Sequence, residues 1–118
     1  MIRCLLCPHG CRLKDGQKGI CRVRRRKGEK LFALNYGRVT ALALDPIEKK
    51  PLYHFYPGSA ILSAGTFGCN FACGFCQNWH ISQEEAPSEF ISPVRLAAVA
   101  ERERAAGNIG LAYTYSEP

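Results

Sequence analysis

Three cysteines, Cys69, Cys73 and Cys76, fall within eight residues of the stretch GCNFACGFCQNW. A Cys-x3-Cys-x2-Cys spacing on one loop lets each thiolate reach a different iron of a single 4Fe-4S cubane. Gly68 and Gly74 supply backbone angles that can turn N–H groups toward the cluster's sulfurs. A structural zinc site wants a closed set of four ligands, yet no further cysteine follows Cys21 outside this trio, and His80 is the only nearby substitute. Three protein ligands leave one iron open to a small molecule, so the trio points to chemistry at the cluster.

The other four cysteines, Cys4, Cys7, Cys11 and Cys21, form a second set in CLLCPHGCRLKDGQKGIC. Four thiols suit a closed site, either structural zinc or a second iron site, and the x2, x3 and x9 spacings are not the usual zinc-ribbon pattern. Pro8 stands where Cys-x-x-Cys-His needs its histidine, which excludes a c-type haem. His9 is an alternative ligand in this knuckle; His9, His54 and His80 otherwise lack a partner at telling spacing and read as structural or surface residues.

Seven cysteines in 118 residues argue for metal ligation in a reducing compartment, and hence a cytoplasmic protein. The opening MIRCLLCPHG has no secretory apolar core, and no run approaches the roughly 18 apolar residues of a spanning helix. The formal charge of +6 falls by two if four thiolates hold Zn²⁺ and by one if three hold a 4Fe-4S core, leaving +3. The remainder is concentrated in RVRRRKGEK, Arg22 to Lys30, read as a solvated face beside the knuckle rather than a nucleic-acid surface. A composition of 47% hydrophobic and 22% charged residues is that of a globular unit.

The elements that must position these cysteines follow from texture. Residues 1–30 read as a Cys-rich knuckle held by its ligands. Residues 31–59 read as a hairpin of Leu31–Leu34 with Val39–Leu44 around Asn35–Arg38, then an extended connector broken by Pro46, Pro51 and Pro57, with a short strand at Leu52–Tyr56 and a Pro57-Gly58 turn. In residues 60–118, AILSAGTF (Ala60–Phe67) is a strand buried on both faces that delivers the cysteine loop. SPVRLAAVAERERAAG is a helix with Ser92 as N-cap, Pro93 at its first position and Gly107 as stop, burying Leu96, Val99, Ala100 and Glu103. NIGLAYTY (Asn108–Tyr115) is a second buried strand, completing one parallel βαβ unit of an α/β fold. One such unit is too little for a barrel, so the chain is expected to be the front part of a longer protein. Tyr53, Phe55 and Tyr56 read as core aromatics, and Trp79 as a packing residue under the loop.

CNFACGFC, with Phe75 in the aromatic place, resembles the signature Cys-x3-Cys-x-aromatic-Cys of the radical S-adenosylmethionine (SAM) superfamily. The wider text, RCLLCPHGCRL, DPIEKKPLYHFYPGS, GCNFACGFCQNW and AYTYSEP, resembles the radical SAM member of the AmmeMemoRadiSam system, a homologue of pyruvate formate-lyase activating enzyme, over essentially the whole chain. The resemblance implies a partial or full parallel (β/α) barrel and a cluster on Cys69, Cys73 and Cys76. It also implies an adenine contact from the backbone around Phe75, and a SAM-amino contact from Tyr115-Ser116-Glu117-Pro118 in the place of the superfamily's Gly-Gly-Glu-Pro. Tyr115 and Ser116 depart from the two glycines there, which bears on how closely the backbone approaches SAM. Gln77, Asn78 and Trp79 could line the SAM pocket, the packing role of Trp79 being the alternative. The implied activity is reductive cleavage of SAM to a 5′-deoxyadenosyl radical for hydrogen abstraction, as in glycyl-radical activases. Its implied partners are a reductant such as flavodoxin or ferredoxin and, in an activase, a protein substrate. The alternative is a zinc or iron-sulfur module for electron transfer or nucleic-acid binding without SAM chemistry.

Overall fold

The computed structural model describes residues 1–117, so Pro118, the last position of the expected SAM segment, lies outside it. Strand β1 (Ile2–Arg3) pairs antiparallel with β2 (Arg12–Leu13) and closes the loop carrying Cys4, Cys7 and Cys11. Strands β3 (Arg24–Lys27) and β4 (Lys30–Ala33) form a hairpin around Gly28-Glu29, with Lys27 opposite Lys30. The basic run is therefore one arm of a hairpin that crosses from the knuckle into the next segment. Much of its charge is spent locally: Arg25 Nε donates to Gly16 O at 3.0 Å and Arg26 Nη1 to Leu13 O at 3.1 Å.

The expected hairpin of Leu31–Leu34 with Val39–Leu44 is not formed. Its reversal exists, with the Arg38 N–H donating to Asn35 O at 3.0 Å, but its two arms take different partners. Strand β4 stays with β3, β5 (Arg38–Val39) pairs with β8 (Glu89–Phe90), and β6 (Ala41–Pro46) pairs antiparallel with β7 (Ala60–Gly65). A turn fixes only that the chain comes back; β6 gains more from β7, where Leu44 faces Leu62 and Leu42 faces Ala64.

Strand β7 is the centre of a three-stranded sheet in the order β6-β7-β9, with β9 (Asn108–Tyr113) parallel to it as expected. The antiparallel β6 makes this a mixed sheet, and the described residues form four small sheets and no closed barrel. Leu62, Ser63, Ala64 and Gly65 are buried. Strand β9 is less buried than its uncharged sequence implies, because β7 covers one edge only; Ile109 and Tyr113 are exposed.

Between β7 and β9 lie a one-turn helix α1 (Trp79–Ser82), β8 and helix α2 (Pro93–Arg102). The α2 start matches its sequence signals: Ser92 Oγ accepts the Arg95 N–H at 3.3 Å, and Pro93 opens the helix. A 3-10 turn, Glu103–Ala106, carries it to Gly107 at φ +89°. Leu96 packs with Leu62 and Ala64 into the core, flanked by Val99, Ala100, Leu44, Ile91 and Leu111. Asn108, buried at the start of β9, clamps this layer: its Oδ1 accepts the Leu62 N–H at 2.8 Å and its Nδ2 donates to Ala100 O at 2.8 Å, where the β7–β9 register shifts.

The segment Leu52–Tyr56 is a run of bends, not a strand. Pro51 and Pro57 flank it, and the Leu52 N–H is turned inward to Ile47 O of a 3-10 turn, Ile47–Lys49. Leu52, Tyr53, Phe55 and Tyr56 are exposed instead of lying in the core. The Pro57-Gly58 reversal is present, with the Ser59 N–H donating to Tyr56 O at 3.1 Å.

Candidate metal loop and cysteine knuckle

Strand β7 ends at Gly65, and the chain reaches Cys69 four residues later. Gly68 makes the bend at φ +87°, and a Cβ there would sit 2.8 Å from Cys21 O and collide with Val23. Only glycine meets both demands, so the knuckle lies directly against the start of the loop.

Cys69 is buried, Cys76 half-buried and Cys73 exposed, and all seven cysteines are free thiols. Cys69 Sγ accepts two backbone N–H groups, from Phe71 at 3.4 Å within the loop and from Glu117 at 3.4 Å beyond β9. Cys76 Sγ lies 3.5 Å from Ser82 Oγ on α1. N–H groups directed at a cysteine sulfur are the donors that a metal-bound thiolate uses. In kind, the trio offers the donors that an iron-sulfur cluster takes. Among the described residues, however, no three His, Cys, Asp or Glu side chains stand close enough together to hold a metal ion. To hold a metal, the thiols of either set would have to draw closer together than they stand here.

The loop's backbone is held from upstream. His9 Nε2 bonds to Asn70 O at 2.8 Å. Arg22 Nη2 donates to Gln83 Oε1 at 2.8 Å, and Gln83 Nε2 donates to Phe71 O at 2.7 Å. His9 is thus a brace on the cysteine loop. Lys18 and Glu85 add an exposed ion pair at 2.9 Å between the same two regions.

Cys4, Cys7, Cys11 and Cys21 all line one cavity of about 190 Å³, together with Asn70 and Glu117. The Cys4 N–H donates to Cys11 O at 2.8 Å and the Gly10 N–H to Cys7 O at 3.2 Å, which folds the set into a knuckle. Arg24 lines the same cavity, and its Nη1 is buried with no hydrogen-bond partner among the described residues. Arg24 also lines a second cavity, with Asn35, Gly37 and Leu96.

Of the residues expected near SAM, Tyr115 and Asn78 line a common cavity of about 360 Å³ with His80, Ile81 and Thr40. Ser116 Oγ donates to Thr66 O at 3.2 Å, and Glu117 reaches Cys69 through its amide. Phe75, by contrast, is 90% exposed at the loop tip, away from these segments' contacts. Trp79 is 56% exposed and does not pack under the loop. Sequence reasoning missed Asp45, which is buried beside Tyr115: Tyr115 Oη donates to Asp45 Oδ2 at 2.6 Å. Its signal lay in DPIEKK, where an acid flanked by two lysines within five residues invites an internal ion cluster.

A loop of thiols thus follows the central strand of a mixed α/β fold, with a second thiol set packed against it. The chain is 45% identical over 120 residues to "Uncharacterized protein MJ0808" of Methanocaldococcus jannaschii, a match covering 99% of this chain and 35% of that protein. The chain thus spans about a third of that relative's length. No family model matches the chain, and no solved structure matches it. Among the described residues, no helix is long and apolar enough to cross a membrane.

Proposed function

We propose that this chain is the cofactor-binding portion of a cytoplasmic radical SAM enzyme of the glycyl-radical-activase type, with a barrel completed by further βα units. The observation that carries the reading is the Glu117–Cys69 bond at 3.4 Å, which joins the two segments that the superfamily resemblance assigns to SAM and to the cluster. Cys69, Cys73 and Cys76 would hold a 4Fe-4S cluster, which would supply the electron for reductive cleavage of SAM.

The residues of this chain do the rest. The Phe71 and Glu117 amides stabilise negative charge on Cys69 and so tune the site's potential. The Glu117 carboxylate offers an acceptor to the SAM ammonium, a charge-assisted contact. Asn78 lines the cavity beside Tyr115, and the backbone at Phe75 meets the adenine once the thiols have drawn together. Cys4, Cys7, Cys11 and Cys21 hold zinc, or a second iron site, that stiffens the knuckle bracing the loop. The electron comes from a flavodoxin- or ferredoxin-like donor, and the hydrogen is taken from a protein substrate.

Anaerobic reconstitution with iron and sulfide, followed by reduction and electron paramagnetic resonance spectroscopy with and without SAM, tests this. The expected result is a cluster signal that SAM alters, abolished by Cys69→Ala, Cys73→Ala or Cys76→Ala and retained in Cys4→Ser. A reduced cluster indifferent to SAM would leave a metal module without radical chemistry.

A further inference from the structure

Four consecutive residues beyond β9 are each tied back to a different point of the fold. The Thr114 N–H donates to Ala64 O at 3.0 Å, Tyr115 Oη to Asp45 Oδ2 at 2.6 Å, Ser116 Oγ to Thr66 O at 3.2 Å and the Glu117 N–H to Cys69 Sγ at 3.4 Å. Three of these bonds run to β7 or the loop it delivers. The Tyr115 bond alone crosses the sheet to the outer strand β6.

Tyr115 adopts φ +72°, a left-handed conformation that costs a non-glycine residue about 1 kcal/mol or more. Something must hold it there. Asp45 is 5% exposed, and besides the phenol it receives Lys50 Nζ at 2.9 Å and Lys49 Nζ at 3.0 Å. Lys50 also stands 4.9 Å from the centre of the Tyr115 ring, so one cation holds both members of the pair. The ring lies over Gly65, where a Cβ would come within 2.8 Å of it. Bulk at position 115 is thus matched by its absence at position 65.

The geometry points to Asp45 and Tyr115 as a latch: positioning residues that fix the Tyr115 and Ser116 carbonyls and the Glu117 carboxylate for SAM, in place of two glycines. This rests on the radical SAM reading above. A glycine at 115 reaches the same φ without strain but has no side chain to hold it there; tyrosine accepts the strain and is locked by the buried carboxylate. The latch also gives DPIEKK a task, since Asp45, Lys49 and Lys50 all come from it.

The test uses the full chain as its gene encodes it, loaded anaerobically, with SAM affinity measured by equilibrium binding and by the SAM-induced change in the reduced-cluster spectrum. Tyr115→Phe removes one hydroxyl and Asp45→Asn one charge. Each is expected to weaken SAM binding about tenfold while iron content and the SAM-free spectrum stay those of the unmodified protein. The double variant is expected to lose less than the sum of the two single losses, because both act on the same contact. Should Asp45→Asn fail to fold, Tyr115→Phe, the milder change, decides. SAM affinity unchanged in Tyr115→Phe, or losses that add in the double variant, would overturn the latch and leave the enzyme reading standing. An unmodified protein whose cluster ignores SAM would overturn that reading and the latch with it.

Discussion

The Glu117 amide donates to Cys69 Sγ at 3.4 Å, across 48 positions of sequence. Because the donor is backbone, the contact to the Cys69 thiol does not use the Glu117 carboxylate, which the proposed function assigns to the SAM ammonium.

That division of labour predicts a clean separation. Glu117→Ala keeps the amide, so the SAM-free spectrum of the reduced cluster is expected to be unchanged. Loss of the carboxylate is expected to weaken SAM binding by about tenfold to a hundredfold, the range for a charge-assisted hydrogen bond. Equilibrium binding checks this, and a variant with normal SAM affinity would remove Glu117 from the cofactor site.

The Asp45–Tyr115 pair sets limits on stability at both ends of the pH scale. Burial pushes the Asp45 carboxyl up, but hydrogen bonds from Tyr115, Lys50 and Lys49 outweigh it and hold it well below the usual range. A depressed acid contributes stability that is complete above its unfolded value, about pH 4, and lost progressively as pH falls below it. Burial raises the Tyr115 phenol, reinforced by its bond to Asp45. A raised group contributes stability that is complete below its unfolded value, about pH 10, and lost as pH climbs through the folded one. Melting temperature against pH is therefore expected to fall less steeply in acid for Asp45→Asn, and less steeply in alkali for Tyr115→Phe. Profiles parallel to that of the unmodified chain would show that the pair carries no such linkage.

Gly68 is where the knuckle and the cysteine loop touch. Gly68→Ala forces a side chain into φ +87° and against Cys21 O, so a loss of about 1–3 kcal/mol is expected in denaturant unfolding. Gly74→Ala, in the same loop, meets no atom within 4 Å and is expected to change stability by about 0.5 kcal/mol at most. Equal effects at the two positions would mean that the knuckle does not seat on Gly68.

Local signals were read correctly where the physics is local. Ser92, Pro93 and Gly107 bound helix α2 because caps and proline geometry act within a turn, and Ala60–Gly65 forms a strand because an uncharged apolar run wants two covered faces. The two cysteine sets were legible as spacing alone. Strand partners were not: Asn35–Arg38 announced a reversal, but pairing of β6 with β7 depends on apolar faces some twenty residues apart along the chain. Leu52–Tyr56, rich in aromatic residues, reads as a strand until Pro51, Pro57 and the inward-turned Leu52 amide deny it a ladder.

By itself, then, the sequence determined which atoms are available: seven thiols in two groups, a capped helix, an apolar strand ahead of the loop and an acid among lysines in DPIEKK. Tertiary structure alone decided who meets whom. It seated the knuckle on Gly68, brought the Glu117 amide to Cys69 and carried Tyr115 across the sheet to Asp45. The reason is physical: caps, turns and ligand spacings are settled within a few residues, whereas each of these three contacts exists only after the β6-β7-β9 sheet or the knuckle has closed chain segments that sequence leaves far apart.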